Sequence, residues 1–214
     1  MIAMGALGWD HNAYYRRTLL RRLPPSPRRV LDVGCGAGGF AVELARRAQR
    51  VDAIDRSPEM IETARRIAPS NVTCTLADVL DIELPQREYD AIVSVTALHH
   101  MPLDRALPAL ARALRPGGVL AAVALPRPDL PRELPVELTA AVGQRVFGAA
   151  FLGLRRITDR PWYAPDPQSA AMPLVIDPEL TTRQVGALAR ELLPGAQVRR
   201  LVFWRYLLVW HKPV

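Results

Sequence analysis

The stretch RRVLDVGCGAGGFAV, residues 28–42, constrains this chain more than any other. Val30, Leu31 and Val33 form an apolar run broken only by Asp32, which predicts a short buried strand ending at Gly34. Gly34, Gly36, Gly38 and Gly39 follow, and then the helical pattern FAVELARRA. Glycine is required where a backbone turns at positive φ or approaches another group with no room for a Cβ. A strand, a glycine turn and a helix start place backbone N–H groups at the open edge of a sheet, where α/β folds bind nucleotides. Gly34, Gly36 and Gly39 also satisfy the dinucleotide pattern G-x-G-x-x-G, so the turn alone leaves the ligand open.

Later pieces narrow it. Val51, Ala53 and Ile54 predict a second strand ending in Asp55, and Ser57 with Pro58 opens the next helix. An acid about twenty residues beyond the glycines is placed to accept from two ribose hydroxyls, whichever nucleoside carries them. Arg56 and Met60 lie close enough to pack on its base. VTCTL, residues 72–76, predicts a third strand followed by Ala77, Asp78 and Val79. In EYDAIVSVTALHHM the run AIVSV predicts a buried fourth strand with Thr96 at its carboxyl end. His99 and His100 then emerge on the edge where ligands of such sheets bind. DRALPALARAL is helical, and RPGGVLAAVAL is a glycine turn leading into a fifth strand.

DVGCGAG, Asp55, ADV, the His pair and LRPGGVL are spread in order over residues 28–125. Together they resemble the class I S-adenosylmethionine (SAM) methyltransferases, in particular the small-molecule type similar to those of quinone biosynthesis. The resemblance implies a single domain, 1–214, with a doubly wound, mostly parallel seven-stranded sheet and an antiparallel last strand. It implies SAM held by Asp32, Gly34, Cys35, Gly36, Gly38, Asp55, Arg56, Met60, Asp78, Val79 and Thr96. In that family the acid of the A-D-V piece accepts from the adenine amino group and the next backbone N–H meets the ring. Charge agrees with SAM: Asp32 repels pyrophosphate but attracts an ammonium and a sulfonium. Two alternatives stand beside this reading, an NAD-linked oxidoreductase and a methyltransferase-fold protein that transfers no methyl group.

A general base is wanted if the acceptor is a hydroxyl, amine or acidic carbon. His99, His100 and His11 are the candidates, because an unperturbed imidazole titrates near neutral pH. Of the adjacent pair, His100 is expected to face the acceptor while His99 packs inward. SVTALHH contains no carboxylate, and two adjacent histidines without a third ligand make a poor metal site. No Asn-Pro-Pro-Tyr type motif and no Pro-Cys nucleophile is found either. A metal-independent enzyme acting on a small, largely apolar molecule is expected.

The net charge of +7 raises the question of nucleic acid. However, Lys212 is the only lysine, and the arginines are scattered in pairs such as Arg16-Arg17 and Arg199-Arg200. A solvated surface accounts for them, and nucleic acid is not expected as a partner. No apolar run approaches the ~20 residues that span a bilayer. The N-terminus carries neither a basic leader nor an apolar signal segment, so a cytoplasmic location is expected. Cys35 in the glycine turn and Cys74 in a predicted central strand suit a reduced compartment. The sequence does not choose between monomer and homodimer.

Two flanking segments are long enough to roof an acceptor. Residues 9–23 predict an amphipathic helix capped by Asp10 or Asn12, with Tyr15, Leu19, Leu20 and Leu23 as its apolar stripe. The family places such a helix over the cofactor mouth, where His11, Tyr14 and Tyr15 would reach the cofactor or acceptor; covering the sheet edge is the other reading. Residues 126–178 form an insert with the helical run VELTAAVGQRVFGAAFLGLRR. A stretch this long is usually a lid or binding segment. Gly143, Gly148 and Gly153 either weaken its helix or allow close packing, and a membrane-surface helix is a third reading. After a helix at 179–193 come two strands meeting near Trp204-Arg205, with Trp204, Tyr206, Leu208 and Trp210 expected on one face.

Overall fold

Alternation along the strands decides the architecture. Val30, Ala91, Val93, Val119 and Ala121 belong to one apolar layer, while Leu31, Val33, Ile92, Leu120 and Ala122 belong to another. A sheet that is apolar on both faces must carry helices on both. The computed structural model describes residues 7–130, 132–164 and 178–214. In chain order its elements are α1 (His11–Leu20), β1 (Arg29–Val33), α2 (Gly39–Ala45), β2 (Arg50–Asp55), α3 (Pro58–Ile67) and β3 (Val72–Leu76). Then come β4 (Tyr89–Val95), a 3₁₀ turn (Leu98–His100), α4 (Leu103–Ala113) and β5 (Leu114–Ala124). The last are α5 (Leu134–Thr158), α6 (Thr182–Leu192), β6 (Gln197–Leu201) and β7 (Arg205–His211).

The strands form one sheet in the order β3-β2-β1-β4-β5-β7-β6. β1 pairs in parallel with both β2 and β4, and β7 runs antiparallel to both β5 and β6. The chain leaves β1 in both directions, so the crevice between the ends of β1 and β4 is a topological switch point, where such sheets bind ligands. α4 and α6 bury Leu107, Leu110, Val185 and Ala189 on one face; α1, α2 and α5 bury Leu19, Phe40, Leu44 and Phe151 on the other. Each fully buried leucine contributes roughly 1.5–3 kcal/mol of burial free energy.

The two edges of the sheet are treated differently. At the amino edge Asp52 accepts from Arg29 (2.7 Å), Arg50 (3.2 Å) and the Tyr89 hydroxyl (3.0 Å). There Asp90 also takes the Arg28 and Arg29 backbone N–H groups at 2.8 and 2.9 Å. These contacts tie β1, β2 and β4 together where no ligand is expected, which leaves the carboxyl edge to function.

The structure corrects two local expectations and decides a third that was open. Cys74 lies on β3, an edge strand, and is half-buried rather than central. Trp204 does not share a face with Tyr206, Leu208 and Trp210. Phe203 and Trp204 both adopt positive φ in the β6–β7 turn, which swings the Trp204 ring to the opposite layer. There its indole N–H donates to Glu137 at 2.6 Å. The glycines of the insert do not interrupt α5, which runs 25 residues. A Cβ on Gly148 would lie 2.2 Å from the Leu7 carbonyl oxygen, and one on Gly143 3.1 Å from the Phe203 ring, so close packing explains these two, while Gly153 has open space around it.

α1 is capped by Asp10, whose carboxylate accepts from Asn12 and Ala13 N–H groups at 2.8 and 3.0 Å, and Tyr15 and Leu19 are buried beneath it. Along α5, Leu134, Leu138, Val142 and Val146 stay exposed at four-residue spacing. No described helix is long and apolar enough to cross a membrane. The closing part of the insert, 165–177, lies outside the described residues.

Candidate functional site

The carboxyl edge is built from the glycine turn outward. Gly34 and Gly38 have φ of +72° and +84°, conformations costly for any residue with a Cβ. Their space is taken by the protein itself: a Cβ on Gly34 would lie 2.1 Å from that of Ala97, and one on Gly38 2.8 Å from that of Ala64. The glycines thus draw the end of β4 and the body of α3 against the turn. The turn's amides are also committed. Gly34 and Cys35 donate to the Ile54 carbonyl, Gly38 to the Cys35 carbonyl, and Gly36 to the Asp55 carboxylate at 2.9 Å. Gly34, Cys35, Gly36 and Gly38 therefore spend their N–H groups within the turn and do not themselves form a phosphate cradle.

Asp55 ends β2 as expected, and its other oxygen accepts from Ser57 N–H at 2.9 Å. A carboxylate has about four acceptor positions, so two remain for hydroxyls. Arg56 beside it is exposed, while Met60 is buried beneath. Asp78 forms a local turn by accepting from Leu80 N–H at 2.9 Å, with Val79 buried after it. These residues line one stretch of the edge from β2 to β3.

Asp32 is 1% exposed, and one of its oxygens has no partner. Burial pushes its carboxyl up to about 7, against the pull of the Arg16 guanidinium. Arg16 pairs with Glu43 at 3.2 Å, packs over Gly39, and leaves its own buried Nε–H unpartnered. An unpartnered carboxylate oxygen and an unpartnered guanidinium N–H thus lie near the first turn of α2, close enough for Arg16 to act on the charge of Asp32. Burial in the same turn raises the Cys35 thiol, so Cys35 is no nucleophile.

At the end of β4, Thr96 has φ +60°, a conformation that costs a β-branched residue about 1–3 kcal/mol. It is held there from both sides, by its N–H to the Val123 carbonyl and its hydroxyl to Asn12 Oδ1, each at 2.7 Å. His99 and His100 follow with ring centroids 3.9 Å apart. His99 is the enclosed one: its Nδ1 is buried without a partner, and burial, His100 and Arg205 lower it to about 3. His100 is exposed, lowered by burial and by Arg56. The 3₁₀ turn thus leaves His99 the more enclosed and His100 the more exposed of the pair.

The leading helix and the insert meet directly. Trp9, 5% exposed, packs among His11, Tyr14, Phe147, Phe151, Tyr163 and Phe203 at centroid distances of 4.2–6.4 Å. His11 is bonded to Gln144 on α5 at 2.6 Å and stacks on Phe203; burial and Arg205 lower it to about 4. Tyr15 is spent on the Val202 carbonyl, and burial pushes its phenol up to about 12. His11 and Tyr15 are thus placed in the aromatic wall and its anchorage. α5 is fastened to the β6–β7 turn by Arg200, which pairs with Glu133 at 3.2 Å and donates to Glu137 at 2.5 Å.

Residues 30–118 match the family model described as "Methyltransferase domain". An uncharacterized methyltransferase of Mycobacterium tuberculosis is 35% identical over 208 residues, covering 96% of this chain and 98% of that one. The chain belongs to the methyltransferase family. Over a shorter span, 104 residues, this methyltransferase is 38% identical to a ubiquinone biosynthesis O-methyltransferase of Xanthomonas axonopodis, covering 46% of this chain and 44% of that one. The solved structure of an S-adenosylmethionine-dependent methyltransferase from Mesorhizobium loti shares its fold, with a TM-score of 0.60 at 19% identity over 92% of this chain and 96% of that one.

Three residues of the methyltransferase's carboxyl edge were not singled out as site residues by the sequence: Asn12, Arg16 and Arg205. Arg205, at the start of β7, donates to Asn12 Oδ1 and to the Phe203 carbonyl, both at 2.8 Å. Asn12 and Arg16 are one helical turn apart on α1, and that spacing was the available hint.

Proposed function

We propose that this methyltransferase transfers the methyl group of SAM to a small, largely apolar organic acceptor, without a metal. The observation that carries the reading is the pair of buried unpartnered atoms of opposite character, Asp32 Oδ2 and Arg16 Nε, beside a turn in which Gly34, Cys35, Gly36 and Gly38 have already spent their amides. That donor set fits a zwitterion: Asp32 suits the ammonium and sulfonium, Arg16 the carboxylate, and Asp55 the ribose. Asp78, Val79, Arg56 and Met60 would enclose the adenine. Bound SAM supplies an electrophilic methyl group on sulfur. The chain's part is to align the acceptor and exclude water, which supply most of the acceleration in such a displacement. The aromatic wall around Trp9 provides the apolar, water-poor side, and the relative in ubiquinone biosynthesis acts within the same chemical range. The roof formed by α1 and α5 is read as a lid over the acceptor.

Labelled-methyl SAM added to desalted lysate supplemented with small metabolites tests the class of acceptor. Label is expected in the extractable small-molecule fraction, and label confined to RNA or protein would refute the reading.

Among the histidines, His99 is assigned to the acceptor. Its lowered basicity makes it neutral at pH 7, an acceptor of a hydrogen bond rather than a strong base. His99→Ala is expected to lower turnover about 10²-fold, within the usual range for such groups, with the affinity for S-adenosylhomocysteine unchanged. Full turnover in His99→Ala on a verified acceptor would remove the assignment.

SAM affinity is expected to depend on pH through Asp32. Its folded value is raised, so it is protonated below about 7, and a cationic ligand favours the ionised form. Affinity therefore rises with pH from 6 to 8 and falls at most about tenfold per unit below the pKa. Asp32→Asn should flatten the profile; a flat profile in the unaltered protein would contradict the placement of the cation.

A further inference from the structure

Burying a cation without a contact ion pair is costly, and Arg205 is such a cation. It is 9% exposed, and among the described residues no carboxylate lies within 4 Å of it; the field of Asp10 at the start of α1 offsets its burial only in part. The other enclosed arginines contrast with it: Arg29 has Asp52, and Arg200 has Glu133 and Glu137. A guanidinium carries five N–H bonds. The Phe203 carbonyl and Asn12 Oδ1 engage two nitrogens, and the Nε–H has no partner. Burial lowers the group only to about 10, so it stays charged at neutral pH.

Its position is the second observation. Tyr206 pairs with Ala124, the last residue of β5, so Arg205 stands at the carboxyl edge just beyond it. Asn12 Oδ1 joins it to the Thr96 hydroxyl at the end of β4. The same charge reaches His99, whose buried Nδ1 is also unpartnered. Asn12, Thr96 and His99, unlike Arg205, are part-exposed. Three separate segments thus bring polar groups to one buried positive charge on the acceptor side. The cofactor's own carboxylate has a different cation available, Arg16 over the start of α2.

We propose that the acceptor is a small organic acid bound as its anion, carboxylate or phenolate, and that Arg205 holds the anionic oxygen. Asn12 and Thr96 are positioning residues that fix the guanidinium. This rests on the methyltransferase reading and narrows its acceptor from an apolar molecule to an apolar acid. A guanidinium in a water-poor site binds an anionic oxygen far better than a neutral one, so the site should discriminate by charge.

The test titrates the protein, saturated with S-adenosylhomocysteine, with benzoate, 4-hydroxybenzoate and hexanoate, each against its amide. At least one acid is expected to bind about 10- to 100-fold tighter than its amide. Arg205→Met should abolish that preference and Arg205→Lys should keep part of it. Affinity for S-adenosylhomocysteine should be equal in all three proteins. Acids and amides binding alike, or no acid binding, would overturn the proposal. So would a loss of S-adenosylhomocysteine affinity in Arg205→Met with the acid preference intact, since the guanidinium would then serve the cofactor's carboxylate. The comparison of acid with amide in the unaltered protein decides the matter even where Arg205→Met fails to fold. Binding of S-adenosylhomocysteine without acid preference removes this inference alone; failure to bind it removes the methyltransferase reading as well.

Discussion

Gly34→Ala should destabilise the protein by roughly 3 kcal/mol, combining the cost of left-handed backbone for a residue with a Cβ and that of overpacking. The new methyl group would stand 2.1 Å from the Ala97 Cβ, with φ held at +72°. Neither side can yield easily: Gly34 is fixed by its N–H to Ile54, and Ala97 follows Thr96, itself held by Val123 and Asn12. For a domain of this size the melting temperature should fall by roughly 6–12 °C. Gly153→Ala is the matched control, since nothing lies within 4 Å of its Cβ position and it sits inside α5. That change should leave stability equal or raise it by about 0.5–1 kcal/mol. Thermal melts of the two variants check both signs; equal melting temperatures would mean that the turn is not packed as described.

Asp55→Ala should weaken the binding of S-adenosylhomocysteine by about 1.5–3 kcal/mol, the usual worth of hydrogen bonds to a charged group. The carboxylate acts twice. It accepts from the Gly36 and Ser57 N–H groups, both at 2.9 Å, and so holds the glycine turn against the start of α3. Its remaining acceptor positions are assigned to the ribose. Loss of the first role lowers stability, and loss of both lowers affinity. Asp55→Asn, which keeps one acceptor oxygen, should fall between. Calorimetric titration of the three proteins separates the roles, and unchanged affinity in Asp55→Ala would end the ribose assignment.

What could be read from the sequence was what local pattern encodes. The glycine turn, Asp55 and the His pair each sit at the junction of a short apolar run and a helix signal, so a single stretch places them at a strand's carboxyl end. The antiparallel β7 was legible because VRRLVFWRYLLVW is too long for one strand. The rest of the site depends on where distant segments pack. Asn12, Thr96 and Arg205 are joined by hydrogen bonds across sequence separations of 84 and 193 residues, which no window contains. Arg16 looked like half of a solvated pair, yet only Arg17 is exposed, because α1 turns residue 16 toward Gly39. The face of Trp204 was set by two positive-φ residues in the β6–β7 turn, which hydrophobic periodicity does not reveal.

The central claim is that the carboxyl edge between β1 and β4 accepts SAM and not a dinucleotide. Titration calorimetry of the purified protein with S-adenosylhomocysteine and, separately, with NAD⁺ tests it most directly. The account predicts saturable binding of S-adenosylhomocysteine at one site per chain and no heat of binding from NAD⁺. Saturation by NAD⁺ with none by S-adenosylhomocysteine would contradict it.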